Sequence, residues 1–251
     1  MSYQPAPEIL EKYAKILVNF ALGSGKGIKP GEYVYLQSPL SALPFYRALR
    51  KVILDSGGMM MSSLGDDMSG AARYFYDNAN EAQLTAFPKN FYKGLVADVD
   101  HRIAVIADHD VHELDKVDPK KMMMVQKSSK PLMDWFNKKE NDGKYTWTLA
   151  LYGTPSMAKE AGLKLDEYWQ EIIKACYLDF DNPLEQWQKT SREVQRVGEH
   201  RANRPDGRRR PPRLQRLRRP VVVDPRVPHA PVVEVGRQLA GLHLRRDVAV
   251  L

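Results

Sequence analysis

The sequence predicts an α/β fold with a mostly parallel sheet flanked by helices, followed by an irregular or disordered Arg/Pro-rich tail. Up to about residue 190, short β-rich runs alternate with amphipathic segments, which favours strand–helix–strand units. A chain of 251 residues that is 43% hydrophobic can bury a sizeable core. Beyond that point the composition changes abruptly. We therefore expect an α/β domain at 1–190 and a separate tail at 191–251.

The first predicted helix and strand precede residue 38. Apolar residues recur at helical spacing in EILEKYAKILVNFALG, and a left-handed Gly23 or Gly25 is expected to end this helix. The segment KPGEYVYLQS then contains a turn and a β-rich strand at 33–37. Together they predict the first layer of the sheet and one helix that covers it.

The second predicted helix is expected to start at a serine cap, Ser38 or Ser41, and to end near Asp55. Strands are predicted at MMMSS, RIAVIA and KYTWTLAL, which are residues 59–63, 102–107 and 144–151. Further helices are predicted at about 119–138, 155–162, 165–177 and 182–196. Residues 65–80 give no clear pattern. The Met runs MMMSS and KKMMMVQ are expected at core positions, because Met fills irregular gaps.

The tail differs from the domain in the type of basic residue that it contains. Residues 1–191 contain 19 Lys and 4 Arg, whereas the last 60 residues contain 15 Arg and no Lys. The tail has seven Pro and no aromatic residue, so it cannot bury enough surface to offset its ordering entropy.

Three hypotheses explain this tail. It is a natural basic arm that binds nucleic acid or another anionic partner. It is a disordered tail without a partner. Or it is the product of a reading-frame shift near residue 190, since out-of-frame translation of GC-rich DNA yields mostly Arg, Pro, Val, Ala, Gly and Leu. The complete change from Lys to Arg at one point favours the frame shift.

Bulk features indicate a cytoplasmic location. The single Cys176 excludes an internal disulfide and fits a reducing cytosol. The first residues lack the basic region and cleavage site of a secretory signal, and no apolar run is long enough to cross a membrane. We therefore expect no membrane association.

The segment ADHDVHELD, residues 107–115, is the most polar candidate site. Two His with nearby carboxylates, among His109, Asp110, His112, Glu113 and Asp115, can bind zinc or cobalt. The alternative, which we favour, is an exposed loop entering a short helix that Asp108 or Asp110 caps.

Two further candidates have ordinary structural explanations. GSGKG, residues 23–27, lacks the first Gly and the final hydroxyl of a phosphate-binding loop and follows a helix, which indicates a helix-to-strand connection. The segment KACYLDFD contains Cys176 with Tyr177, Asp179 and Asp181, but the cysteine lies on an apolar helix. A buried structural cysteine is therefore expected.

In their order along the chain, three segments resemble the thermophilic-type metallo-aminopeptidases, the aminopeptidase T and S family. They are YAKILVNFALGSGKGIKPGEYVYLQSPLSALPFYRALRKVILDSGG, RIAVIADHDVHELDKVDPKKM and KYTWTLALYGTPSMAKEAGLKLDEYWQEIIKACYLDFDNPLEQWQ. The resemblance covers residues 9 to about 189. Each motif is weak, but their order and spacing are specific.

The resemblance implies a metal-dependent aminopeptidase that removes the first residue of a peptide. It implies a homodimer in which two divalent ions (zinc, cobalt or magnesium) activate a water. The family's ligands lie in a C-terminal half, and ADHDVHELD corresponds to a variable loop. The tail holds candidates of the ligand types, but their surroundings do not match the family's motifs: His200, His229, His243, Glu199, Glu234 and Asp247.

We therefore assign no catalytic, cofactor-binding or metal residue to this chain, and expect it to bind no metal and to be inactive alone. The alternative function is a non-enzymatic domain whose basic arm binds nucleic acid. A family remnant that only binds a partner subunit is a third hypothesis.

Overall fold

A parallel sheet of four strands organises the protein. The computed structural model describes residues 3–202. The strands lie in the order β2-β1-β3-β4, and each neighbouring pair is parallel. They are β1 (Tyr33–Pro39), β2 (Met59–Gly65), β3 (His101–Ile106) and β4 (Thr146–Leu151). The predicted α/β fold with a parallel sheet is confirmed, whereas most of the predicted tail lies outside the described residues.

Helices connect the strands and continue after β4. They are α1 (Pro7–Ile16), α2 (Leu43–Asp55), α3 (Ala71–Asn78), α4 (Glu81–Leu84), α5 (Lys89–Asp98), α6 (Pro119–Asn141), α7 (Pro155–Glu160), α8 (Leu165–Ala175) and α9 (Pro183–Ala202). A π-helical turn, Leu17–Ala21, continues α1, and a short 3-10 turn, Leu40–Ala42, precedes α2. Helices α3, α4 and α5 were not predicted. Helix α9 runs past residue 190, the expected end of the domain.

One face of the sheet carries the main core. Side chains alternate between the two faces of a strand, and the buried positions of β1 and β3 pack against α1, α2 and α8. Tyr13 of α1 stacks on Phe45 of α2 with ring centroids 4.8 Å apart. The apolar periodicity of these helices therefore predicts their buried faces correctly. The core includes Leu17, Val34, Leu36, Leu49, Ile103, Val105, Ala150, Trp169 and Ile172.

The opposite face of the sheet is only half-buried. Tyr35, Met61 and Trp147 lie there against a smaller cluster that includes Leu95 of α5 and Phe136 of α6. Parallel sheets are usually buried on both faces. Helices α5 and α6 therefore cover the second face of this sheet only partly.

The methionine runs are less buried than predicted. Met59 at the start of β2 and Met123 in α6 are each 50% exposed, and their methionine neighbours are half-buried. The expectation of core positions is confirmed in part: the core clusters are packed by Met60, Met61, Met122 and Met124, whereas Met59 and Met123 are exposed. The reason is that β2 is an edge strand and α6 covers only small satellite clusters. Local composition does not distinguish an edge strand from a central one.

The carboxyl end of α5 is held by a lysine of α6. Lys139 Nζ donates to the carbonyl oxygens of Val96, Ala97 and Val99 at 2.8, 2.9 and 2.7 Å. An ammonium group has three donors, and each is used here. Burial lowers the pKa of Lys139. This side chain satisfies carbonyls that a helix end otherwise leaves without partners.

The strand order creates a change of direction between β1 and β3. The chain passes from β1 to β2 on one side and then to β3 on the other side of β1. In open parallel sheets, ligands bind outside the carboxyl ends of the strands at such a point. No helix among residues 3–202 is both long and apolar enough to cross a membrane.

Candidate functional site at the carboxyl edge of the sheet

The chain leaves β3 through a buried aspartate. Asp108 is only 5% exposed. Its amide donates to Met157 Sδ at 3.3 Å, and the hydroxyl of Thr154 donates to its carbonyl oxygen. Thr154 also accepts the amide of Met157 and so caps α7. The connection from β4 to α7 therefore fixes the backbone at Asp108.

One oxygen of the Asp108 carboxyl group lacks a hydrogen-bond partner among the described residues. Its Oδ2 atom is buried, and no described residue donates to it. Burial, together with the negative charges of Asp67 and Glu113, raises the pKa of Asp108 to about 6. The prediction of an exposed loop is thus wrong at this residue, because the chain stays buried for two residues after the end of β3 and reaches the surface only at His109.

Asp67, in the loop after β2, is fixed by Ser41. The amide of Ser41 donates to Asp67 Oδ1 at 3.1 Å, and its hydroxyl donates to Asp67 Oδ2. The same hydroxyl lies 3.3 Å from the carbonyl oxygen of Ala107. The predicted serine cap of α2 is therefore wrong: the helix begins after Ala42 without a side-chain cap, because Ser41 binds this acid.

Glu113 is the third acid of this group, beside Asp67 and Asp108. Its Oε1 accepts the amide of Arg73 at 2.9 Å, in the first turn of α3. The three acids thus come from the loops after β2 and β3 and from the turns that follow. Within residues 3–202, no Lys or Arg lies within ion-pair distance of Asp67, Asp108 or Glu113. Asp67, Asp108 and Glu113 therefore form an acidic cluster whose negative charge no described Lys or Arg pairs.

Both ring nitrogens of His112 are paired with carboxylates. Its Nδ1 lies 2.8 Å from Asp115 and its Nε2 lies 3.3 Å from Glu160. The hydrogen bond to Asp115 and the charges of Asp115 and Glu160 raise the pKa of His112. The expected short helix is replaced by turns at 111–116, in which Asp110 accepts the amide of His112 at 2.9 Å.

The described part of the chain does not form a metal centre. Among residues 3–202, no three His, Cys, Asp or Glu side chains converge in a way that could hold an ion. An open cleft of about 650 Å³ does lie between α3 and the turns at 111–116. Its lining mixes both signs of charge, including the Arg73–Asp77 ion pair at 2.7 Å.

The GSGKG segment connects the first helix to β1, as predicted. Gly23, Gly25 and Gly27 all have positive φ, and a Cβ on Gly23 would lie 2.0 Å from the Gly27 carbonyl oxygen. The amide of Gly23 donates to Thr146 Oγ1 at 3.0 Å. That hydroxyl is 2.8 Å from Nδ1 of the buried His101. The loop is tied to the amino ends of β3 and β4, at the opposite end of the strands from the acidic cluster.

Cys176 is a buried structural cysteine, as predicted. It is 2% exposed at the end of α8, and burial raises the pKa of its thiol to about 12. Its carbonyl oxygen accepts Trp187 Nε1 at 3.1 Å, which ties α9 to α8. The neighbouring Asp179 is exposed. This segment therefore contributes packing, and no thiol chemistry.

His229, His243, Glu234 and Asp247 lie outside the described residues, and the side chains of Glu199 and His200 are not described. The sequence did not reveal the acidic cluster as a unit, because Asp67 lies in the stretch that showed no pattern. The available signal was the position of acids directly after two predicted parallel strands, whose carboxyl ends meet.

Comparisons with known proteins give one consistent result. The model of the thermophilic metalloprotease family M29 matches residues 6–201. Aminopeptidase 2 of Geobacillus stearothermophilus is 22% identical over 203 residues, which are 78% of this chain and 48% of that protein. Aminopeptidase T of Thermus aquaticus is 22% identical over 185 residues, 70% of this chain and 45% of that protein.

A solved structure has the same fold. Wild-type AmpT from Thermus thermophilus superposes with a TM-score of 0.62 at 23% identity, over 77% of this chain and 48% of that one. The chain spans about half the length of the curated relatives it matches. The matched half corresponds to the described α/β domain.

Proposed function

This chain belongs to the thermophilic metalloprotease family M29, and from this premise we propose that it is the N-terminal part of a metal-dependent aminopeptidase. The observation that carries the proposal is the family match over nearly all described residues, together with curated relatives that are aminopeptidases. The substrate proposed for the intact enzyme is a peptide with a free amino terminus. We also propose that the intact enzyme is a cytoplasmic homodimer.

The described residues do not fit a dinuclear metal centre. Such a site needs several converging carboxylates and histidines, and His112, the best candidate, has both ring nitrogens paired with carboxylates. We therefore propose that residues outside 3–202 hold the divalent ions of the intact enzyme, whether zinc, cobalt or magnesium. The role proposed for the present domain is to help cover the active site and shape the dimer.

The tail is proposed to arise from a change of reading frame. The support is compositional, since Arg replaces Lys completely in the last 60 residues. Because the family match reaches residue 201, we propose the change of frame near that residue, somewhat later than composition alone suggested. Sequencing the DNA from codon 180 onward and translating all three frames tests this. Another frame that continues as the second half of the family supports it, and a confirmed present frame without such a continuation contradicts it.

Two assays test the enzymatic proposal. The 251-residue chain, supplied with cobalt, zinc or magnesium, is expected to release no chromophore from a leucine-based substrate. Chelator-sensitive turnover by this chain would contradict the proposed location of the ligands. The frame-restored protein is expected to remove the first residue of a free peptide, with its N-acetylated form as the matched control. Absence of chelator-sensitive release would refute the aminopeptidase proposal.

A second candidate function is a basic arm that binds nucleic acid. The 15 Arg of the last 60 residues favour it, because phosphate contacts by Arg give an affinity that falls steeply with salt. The absence of aromatic residues after Trp187 argues against base stacking. RNA binding by the whole chain that weakens between 50 and 200 mM salt, and that a chain ending at residue 202 lacks, would favour this function.

A further inference from the structure

The outer edge of β2 is open to a further strand. β2 is the outermost strand of the sheet, and among the described residues only β1 pairs with it. The amide of Met59 donates to the Glu32 carbonyl oxygen at 2.9 Å, on the side of β1. The backbone N–H and C=O groups of successive residues in a strand point to opposite edges. Those of Met60, Ser62 and Leu64 therefore point away from the sheet.

β2 lacks the features that keep edge strands single. Such strands usually carry lysine or proline, contain a bulge, or are covered by a loop. The seven residues MMMSSLG contain no charge and no proline, and their register with β1 is unbroken from Met59 to Gly65. Met59 is 50% exposed, Leu64 is 42% exposed, and Leu54 of the adjoining helix α2 is 57% exposed. An uncharged edge bordered by exposed apolar side chains is typical of a surface that a partner covers.

The backbone of β2 is complementary to that of a second copy. When two copies run antiparallel about a twofold axis at Ser62, Met60 of one copy lies opposite Leu64 of the other, and Ser62 lies opposite its own copy. All three residues have outward-pointing backbone groups, so each opposing pair can exchange two hydrogen bonds. The strand has no charge, so no like charges face each other. The twofold axis also closes the assembly at two copies.

The side chains favour the same arrangement. Met60 packs against the main core, and Ser62 Oγ lies 2.9 Å from the Tyr46 hydroxyl of α2. Alternation places Leu64 on this same face of the strand. Because opposing residues of an antiparallel pair share a face, the exposed Leu64 of each copy meets Met60 of the other beside α2. The pairing thus covers apolar surface as well as backbone groups.

A nucleic acid fits this edge poorly. β2 offers no basic side chain to a phosphate, and Asp66 and Asp67 follow the strand directly. These carboxylates repel a polyanion. A strand of protein satisfies the open backbone groups, and a second copy of β2 does so in a register that its own sequence defines.

We propose that this chain forms a twofold dimer through the outer edges of β2, which joins two four-stranded sheets into one. The inference rests on the homodimer included in the proposed function and gives it a specific interface. It does not depend on the metals or on peptidase activity, because the strand edge alone makes the contact.

Sedimentation of the 251-residue chain over a range of concentrations measures the dimer. Ser62→Lys places two ammonium groups opposite each other at the axis and is expected to raise the dissociation constant by about fivefold. Ser62→Pro removes an amide that the monomer does not use within its sheet, and is expected to raise it by about tenfold. Asn137→Lys, at an exposed position of α6, is the matched control and is expected to leave the dimer unchanged.

Cysteine variants test the register. Ser62→Cys is expected to form a disulfide between two copies, because Cα atoms of such an opposing pair lie about 5.5 Å apart, within the range of a disulfide. Met60→Cys is expected to cross-link to Leu64→Cys in a mixture and not to itself. Asn137→Cys is the control and is expected to remain uncross-linked. The natural Cys176 is buried and does not compete.

Sedimentation and cross-linking decide the interface together. A dimer that both Ser62 variants weaken, and that Ser62→Cys cross-links, supports it. A chain that stays monomeric, a dimer that both variants leave intact, or a Ser62→Cys chain that does not cross-link would each overturn it. Circular dichroism establishes that each variant is folded, and the lysine and cysteine variants decide if the proline variant is not. Sedimentation of the frame-restored protein decides separately whether the intact enzyme is a homodimer.

Discussion

Asp108→Asn is expected to stabilise the protein at alkaline pH. The wild-type carboxyl group is 5% exposed, lacks a donor on Oδ2, and lies in the field of Asp67 and Glu113. These surroundings raise its pKa from the usual 3.8 to about 6 in the folded protein. An asparagine of nearly the same shape carries no charge at any pH, so the cost of burying the ionised group disappears.

The sign and size of the effect follow from proton linkage. Because the folded pKa is the higher one, the stability that protonated Asp108 contributes is complete below pH 3.8 and is lost as the pH rises through about 6. A difference of about two units between the folded and the unfolded pKa of Asp108 corresponds to about 3 kcal/mol of unfolding free energy, at 1.36 kcal/mol per unit. The variant is therefore expected to be about 3 kcal/mol more stable than wild type at pH 8, and about 1 kcal/mol more stable at pH 4.5.

Urea denaturation followed by tryptophan fluorescence, at pH 4.5 and at pH 8, measures both differences. Asp179→Asn is the matched control, because Asp179 is an exposed acid in the loop after α8 and its replacement is expected to change stability by less than about 0.5 kcal/mol. A variant that is less stable than wild type at pH 8, or a difference that does not grow between the two pH values, would refute the electrostatic reasoning.

Three further predictions concern the rest of the fold. Cys176 is expected not to react with Ellman's reagent at pH 8 until the chain is denatured, because its thiol is buried; rapid native labelling would contradict this. Gly27→Ala is expected to lose about 3 kcal/mol or more in urea denaturation, because its Cβ would lie 2.7 Å from a carbonyl oxygen at a positive φ. Gly143→Ala, with positive φ but open space, is its control and is expected to lose about 1 kcal/mol. Thr146→Val is expected to cost about 1–3 kcal/mol, since the hydroxyl bonds the buried His101 and a loop amide; an unchanged denaturation midpoint would show that these bonds contribute little.

The sheet was predictable because its signals are local. Each strand lies in a short β-rich run, and predicted and observed bounds differ by a few residues; for example, β1 extends from the predicted 33–37 to Pro39. The helices that pack on the main core carry a regular apolar face, so their positions were also predicted. Alternation of strands and helices was sufficient to indicate parallel pairing.

The carboxyl edge was not predictable because its contacts are distant in sequence. Helix α3 has no side-chain cap from its own N-cap residue, Gly70, and receives Glu113 from 40 residues further along. Asp67 binds Ser41, which lies 26 residues earlier in the chain. Because Ser41 makes this contact, it does not cap helix α2 as expected. A local pattern cannot reveal that three acids from different loops form one cluster.

Lys139, whose side chain binds the carboxyl end of α5, is expected to couple the local unfolding of α5 to that of α6. The last turn of a helix normally frays first, but here three carbonyl groups share the ammonium group of Lys139, which belongs to α6. The carboxyl end of α5 therefore cannot open without releasing that side chain. In native-state hydrogen exchange, the amides in the last turn of α5 should follow the opening of α6, and the two helices should behave as a single cooperative unit.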